Sequence, residues 1–263
     1  MDPALDPHTA LALLEWQIEL GATEAIGETP VNRYEAVPPA RPAVAVPRAP
    51  AMAEDAPSFG AVDPVEVARM AAAATGDLGA LRDAMAAYDH CELRKGAKSL
   101  VFSDGNPAAC VMVIGEAPGR DEDIQGKPFV GRAGQLLDRM FACIGLDRAS
   151  PDPRHALYIT NVLPWRPPQN RDPEPAEVAM MLPFLKRHVD LANPGILILM
   201  GNHSCGALLG RKGITRLRGN WAQALGRPAL PMFHPAYLLR NPHAKREAWH
   251  DLLMLQARLR GAP

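Results

Sequence analysis

Val111–Gly131 reads VMVIGEAPGRDEDIQGKPFVG. Four apolar residues, Val111 to Ile114, run straight into Gly115, the pattern of a buried strand that stops in a tight turn. Strand ends of this kind are where α/β sheets bind ligands. The turn carries Glu116, Pro118 and Gly119, then three consecutive acids (Asp121, Glu122, Asp123), then Phe129 between Pro128 and Val130. A carboxylate cluster a few residues from a held aromatic ring is more than a plain surface loop needs, so this loop is the candidate site.

Three further apolar runs arrange themselves around it. Tyr158-Ile-Thr-Asn161 ends in an amide, Ile196-Leu-Ile-Leu-Met200 ends at Gly201, and Pro231-Met-Phe-His234 ends in a histidine followed by Pro235. Strands are expected at 100–102, 111–114, 157–161, 195–200 and 229–233, and helices at 133–144, 174–192, 203–209 and 244–260. That alternation implies an α/β fold: a three-layer α/β/α sandwich around a central, mostly parallel sheet of about four strands. In such a sheet the strand ends share one edge, so Glu116, Asn161 and His234 can converge.

The chain of 263 residues allows one sizeable domain with an appendage, or two small ones. Residues 8–21 carry enough leucine, isoleucine and tryptophan for one helix stopped by Gly21, whereas 37–57 is Pro/Ala-rich and lacks periodicity. The expected division is an N-terminal helical extension at 1–35, a linker at 36–60 and a main domain at 61–263. The main domain opens with a helical prefix at 61–90, in which Asp63 and Pro64 form an N-cap and first-turn pair. The N-terminal helix is expected to dock on this body or on a protein partner.

No apolar run reaches membrane length and no signal peptide is evident, so a cytoplasmic enzyme with no membrane contact is expected, as a monomer. Cys91, Cys110, Cys143 and Cys205 are widely spaced without a C-x-x-C, and the last three sit in apolar or small-residue contexts that suit core thiols. Net charge is asymmetric: residues 1–85 hold 13 acids against 5 bases, and residues 86–263 hold 16 against 23. A basic body suits a polyanion, although an ordinary solvated surface explains it as well.

Together, GEAPG-RDEDIQGKPFVGRAGQLL, ITNVLPWRPPQNR-x-P and FHPAYLLRNP resemble the family 4 uracil-DNA glycosylases of the wider uracil-DNA glycosylase superfamily, in order and spacing, from about Cys91 to about Arg258. The resemblance implies an enzyme that flips uracil out of DNA and hydrolyses its N-glycosidic bond, leaving an abasic site without a metal. It implies base reading by Asn161, whose amide can donate to O4 and accept from N3–H. Phe129 would stack on the base. His234 would donate to O2 as anionic charge develops on the leaving uracil. Glu116 and Glu122 would be catalytic carboxylates, with Glu122 also crowding C5 against thymine. Ala117 and Asp123 would complete the base-binding set. Which of Glu116, Glu122 and Asp123 orients the water is open. On the DNA side, Leu238, Leu239 and Arg240 could wedge into the duplex, and Arg166 and Arg171 would track phosphates.

The chain departs from the family in one respect. Members usually hold a [4Fe–4S] cluster on four cysteines, and the corresponding positions here are Tyr88, Cys91, Trp165 and Met181. One thiolate cannot hold a cluster that needs four, so no iron–sulfur cofactor is expected. Two other readings fit the residues: a metal-dependent phosphodiesterase using Glu116, Asp121, Glu122 and Asp123, and a non-catalytic DNA-binding adaptor.

Overall fold

The structure, a computed structural model, describes residues 63–261 together with Leu11. Apart from Leu11, the N-terminal helix, the linker and any docking of that helix lie outside the described residues. Asp63 caps α1 (Pro64–Ala73) by accepting from the Val65 N–H at 2.9 Å, and α2 (Leu78–Ala87) and a short α3 (Leu93–Gly96) follow. The chain then alternates: β1 (Asp104–Gly105), β2 (Val111–Gly115), α4 (Arg120–Gln125), α5 (Arg132–Ala142), β3 (Leu157–Asn161), α6 (Pro175–Ala192), β4 (Ile196–Met200) and α7 (Gly201–Leu209). It closes with α8 (Ile214–Leu217), β5 (Ala222–Ala224), β6 (Arg227–Met232), α9 (Pro235–Arg240) and α10 (Lys245–Leu259). None of the described helices is long and apolar enough to cross a membrane.

The sheet order is β1-β3-β2-β4-β6-β5. The four inner strands are parallel, and β1 and β5 pair antiparallel at the two edges. The sheet therefore has six strands rather than about four. Its edge strands, Asp-Gly and Ala-Gln-Ala, are too short and too polar to leave a period-two signal. Leu100–Phe102 is not a strand either; the Val101 N–H donates to the Pro164 carbonyl at 2.8 Å, outside any ladder.

Strand side chains alternate between two apolar clusters, as the pleat requires. Met112, Ile114, Tyr158, Leu197 and Leu199 pack with Leu81 of α2 and Phe184 and Val189 of α6. Val111, Val113, Leu157, Ile159 and Ile198 pack with Leu137 and Phe141 of α5 and Leu252 and Leu255 of α10. Both faces are covered, which is why the inner strands read as unbroken apolar runs. Each large side chain buried in this way contributes about 1.5–3 kcal/mol. Cys91 and Cys205 are buried, but Cys110 and Cys143 are exposed, contrary to the expectation of core thiols. Cys143 is the C-cap of α5 and Cys110 precedes β2, and at an element's end an apolar sequence context does not compel burial.

Between α4 and α5 the chain crosses over its own backbone so closely that a Cβ on Gly134 would overlap the Phe129 carbonyl. Gly134→Ala should therefore destabilise the protein by about 1–3 kcal/mol, as overpacking against rigid backbone does, read as a lower denaturant midpoint at unchanged slope.

Candidate active site

The parallel ladder brings the chemistry together. Gly115 of β2 lies opposite Asn161 of β3, and the pairing continues past both strands: the Val162 and Leu163 N–H groups donate to the Gly115 and Glu116 carbonyls, each at 3.0 Å. Asn161 is thus fixed in register with the start of the acidic loop. A Cβ on Gly115 would come within 2.6 and 2.7 Å of two Phe129 ring carbons and would also meet the Asn161 amide oxygen. Glycine at this position is what lets the amide and the ring approach each other.

Phe129 is buried and sits at φ +54°, a left-handed conformation that costs a bulky residue energy. Its neighbours hold it there. Arg148 donates to the Pro128 and Phe129 carbonyls, each at 2.9 Å, while its Nε reaches Asp138 at 2.8 Å. From the other side the Glu122 carboxylate accepts from the Val130 and Gly131 N–H groups at 2.9 Å and from the Gly119 N–H at 3.1 Å. Both Glu122 oxygens are engaged in this way, so the residue meets the cavity as the anchor of its loop rather than as a free base.

His234 caps α9. Its Nδ1 accepts from the Ala236 N–H at 3.2 Å, and its ring stacks on Phe129 with centroids 5.4 Å apart. Burial, aided by the positive charges of Arg240 and His203, lowers its pKa to about 4. At neutral pH the ring is therefore uncharged. With Nδ1 accepting, the proton sits on Nε2, leaving one N–H to donate.

Glu116, Ala117, Glu122, Phe129, Asn161, Arg171, His234 and Arg240 all line one cavity of about 460 Å³. Asp123 is not among them. It is buried elsewhere, accepting from the Lys98 and Ser99 N–H groups at 2.8 and 3.0 Å, so the base-binding role expected for it gives way to holding the segment before β1. With Glu122 and Asp123 both committed to backbone N–H groups, the four-carboxylate metal site expected of a phosphodiesterase does not assemble. Glu116 keeps its carboxylate turned to the cavity, where burial raises its pKa against the lowering influence of His203.

The expected DNA-side residues divide. Leu238 is 1% exposed and belongs to the apolar cluster with α5 and α10, so it is core rather than wedge. It lies one helical turn after His234 on the face of α9 that packs inward, a placement that an i, i+4 count from the histidine could have shown. Leu239 is half-buried and Arg240 is exposed at the cavity rim. Arg171 grips Glu177 with two hydrogen bonds of 2.6 and 3.0 Å, and Arg166 donates to Asn170 at 2.8 Å. Both arginines brace the loop between β3 and α6.

Several contributors carried no motif of their own. Arg148 sits in an unremarkable DRAS stretch, and Asp172 and His203 come from separate elements. The ligand atoms of Glu116, Asp172 and His203 lie within 4.8 Å of one another, a set of donors a divalent cation could use and equally the makings of a charge-balanced trio. Tyr88, Cys91, Trp165 and Met181 are all buried in the same apolar cluster, with the Tyr88 ring edge-on to Phe184 at 5.4 Å. Those residues do not fit a four-thiolate cluster, and the four cysteines are not arranged as one.

A family model described as the uracil DNA glycosylase superfamily matches residues 102–253. Proteins named type-4 uracil-DNA glycosylase are similar. One from Saccharolobus solfataricus is 36% identical over 197 residues, covering 71% of this chain and 88% of its own length. One from Archaeoglobus fulgidus is 37% identical over 172 residues (61% and 82%), and one from Thermotoga maritima 39% over 154 residues (57% and 77%).

An NMR titration of the histidine side chains should place the His234 midpoint at about 4, with the Nε2–H tautomer throughout the neutral range. The sign for stability follows. The unfolded ring binds its proton at a higher pH than the folded one, so this contribution is complete above about pH 6.5 and fades as pH falls towards 4.

Proposed function

This chain belongs to the uracil DNA glycosylase superfamily, and from that footing we propose how its cavity removes uracil from DNA. It is a uracil-DNA glycosylase acting in DNA repair, a hydrolase of the N-glycosidic bond. The observation that carries the mechanism is the meeting of Asn161, Phe129 and His234 on one cavity with a half-buried carboxylate, Glu116, beside them.

A base cannot be reached inside the stack, so the nucleotide is extruded into the cavity. Its ring lies against Phe129, a contact of about 1–3 kcal/mol for a base on an aromatic side chain. Asn161 offers both a donor for O4 and an acceptor for N3–H, a pairing that cytosine reverses. As the bond between C1′ and N1 lengthens, its electron pair goes to the base, and the Nε2–H of neutral His234 stabilises the charge arriving at O2. The sugar becomes oxocarbenium-like, and Glu116 supplies the negative charge that stabilises it and orients the water whose oxygen bonds to C1′. One water proton leaves through Glu116, and uracil departs to leave an abasic site. Glu122 is a positioning residue, acting through the backbone it holds. No step calls for a metal.

Arg240 at the rim is the residue proposed to meet a phosphate, with Leu239 beside it against the opened duplex. We also assign Tyr88, Trp165 and Met181, at positions where the family resemblance implies cluster cysteines, to apolar core packed with Cys91. The purified protein should then contain no stoichiometric iron by elemental analysis, and stoichiometric iron would overturn that assignment.

The decisive experiment is release of uracil from uracil-containing oligonucleotides in the presence of EDTA, with thymine-containing controls. Wild-type protein should release uracil under chelation, and Asn161→Ala should lose the activity by orders of magnitude with an unchanged circular dichroism spectrum. Unimpaired release by Asn161→Ala would remove the amide from base recognition.

A further inference from the structure

His203 has no part in the chemistry above, yet it is built into the site. It is the third residue of α7, whose first residue, Gly201 (φ +90°), packs so closely on His234 that a Cβ would lie 3.3 Å from the histidine's own. The turn is fixed in place by Asn202, whose side-chain oxygen accepts from the Gly213 and Ile214 N–H groups at 3.0 and 2.8 Å. From this base the His203 Nε2 lies 3.6 Å from a Glu116 oxygen and 3.7 Å from an Asp172 oxygen. Asp172 reaches in from the loop braced by Arg171, which also donates to the Asp172 carbonyl at 3.0 Å.

We infer that His203 is the positioning residue for Glu116, its Nε2 standing between the Glu116 and Asp172 carboxylates and holding the former towards the cavity in the form the reaction uses. The inference rests on the role proposed for Glu116. A half-buried carboxylate drifts towards its neutral acid, which can neither stabilise a cationic sugar nor orient a water as a base. Burial is the larger influence raising the Glu116 pKa, and His203 acts on it in the opposite sense, favouring the ionised acid. The other charged groups facing this point are few: Lys212 acts on Glu116 in the same sense as His203, Asp172 in the opposite sense, and Arg240 faces His234 across the cavity. A histidine at the start of α7 thus reaches the reaction through a carboxylate on the neighbouring strand's loop.

The test uses the full chain and two readouts. Single-turnover uracil release is measured against pH for wild type, His203→Ala and His203→Gln. Without His203 the acid limb should move to higher pH, so that both variants lose rate progressively as pH falls and little on the alkaline plateau. His203→Gln keeps a donor without a charge; it should recover the alkaline rate and retain the displaced limb. The second readout is the Glu116 carboxyl itself, whose titration followed by carbon NMR should move to higher pH in His203→Gln. That measurement needs no activity and is read even if the wild-type chain proved unable to release uracil, a result that would sink the proposed function instead. Coincident acid limbs, or a Glu116 titration unmoved by His203→Gln, would overturn the inference. So would loss of wild-type activity in EDTA with restoration by magnesium or manganese, since the trio would then be a cation site.

Discussion

A phenylalanine held in a conformation it would not choose governs this molecule. Left-handed backbone at Phe129 is tolerated because Arg148 fixes the carbonyls before the turn, Glu122 fixes the N–H groups after it, and Gly134 leaves room beneath. Arg148 is itself anchored by Asp138 and Asp104, and Gly134 by its place in α5. Strain of this kind persists only where the surroundings over-determine it, and it gathers at functional sites. Here it sets an aromatic face against the histidine of β6's end and beside the amide of β3's end.

Much of this was legible in the residues. The inner strands announced themselves as apolar runs because both sheet faces are covered, and their ends, Gly115, Asn161 and His234, do share one edge. What the sequence could not display was direction. Asp123 and Glu122 look alike in RDED, but one turns away to hold Lys98 and Ser99 while the other turns back to Val130 and Gly131. Leu238 looked available beside Arg240, and helical phase put it in the core. The edge strands escaped because two or three residues cannot carry a period. Arg148 and His203 act only through contacts between distant segments, and no local pattern encodes those.

Arg171 and Glu177 illustrate a related point. A basic residue in a loop near a nucleic-acid cleft invites assignment to phosphate, but burial would leave Glu177 a costly acid without a partner, and the bidentate arginine outweighs that cost and lowers its pKa. Some of the bases of residues 86–263 are thus internal bracing, and a count of bases overstates what is free to meet DNA.

Glu122 binding three amides at once has a bearing on energetics beyond its own loop. A pocket whose walls are already tied down loses little conformational entropy when a guest arrives, so nearly all of the contact free energy remains to oppose the unstacking of a nucleotide. Discrimination would then be exercised at the threshold: a base that pairs well resists extrusion, and a poorly paired one slips in.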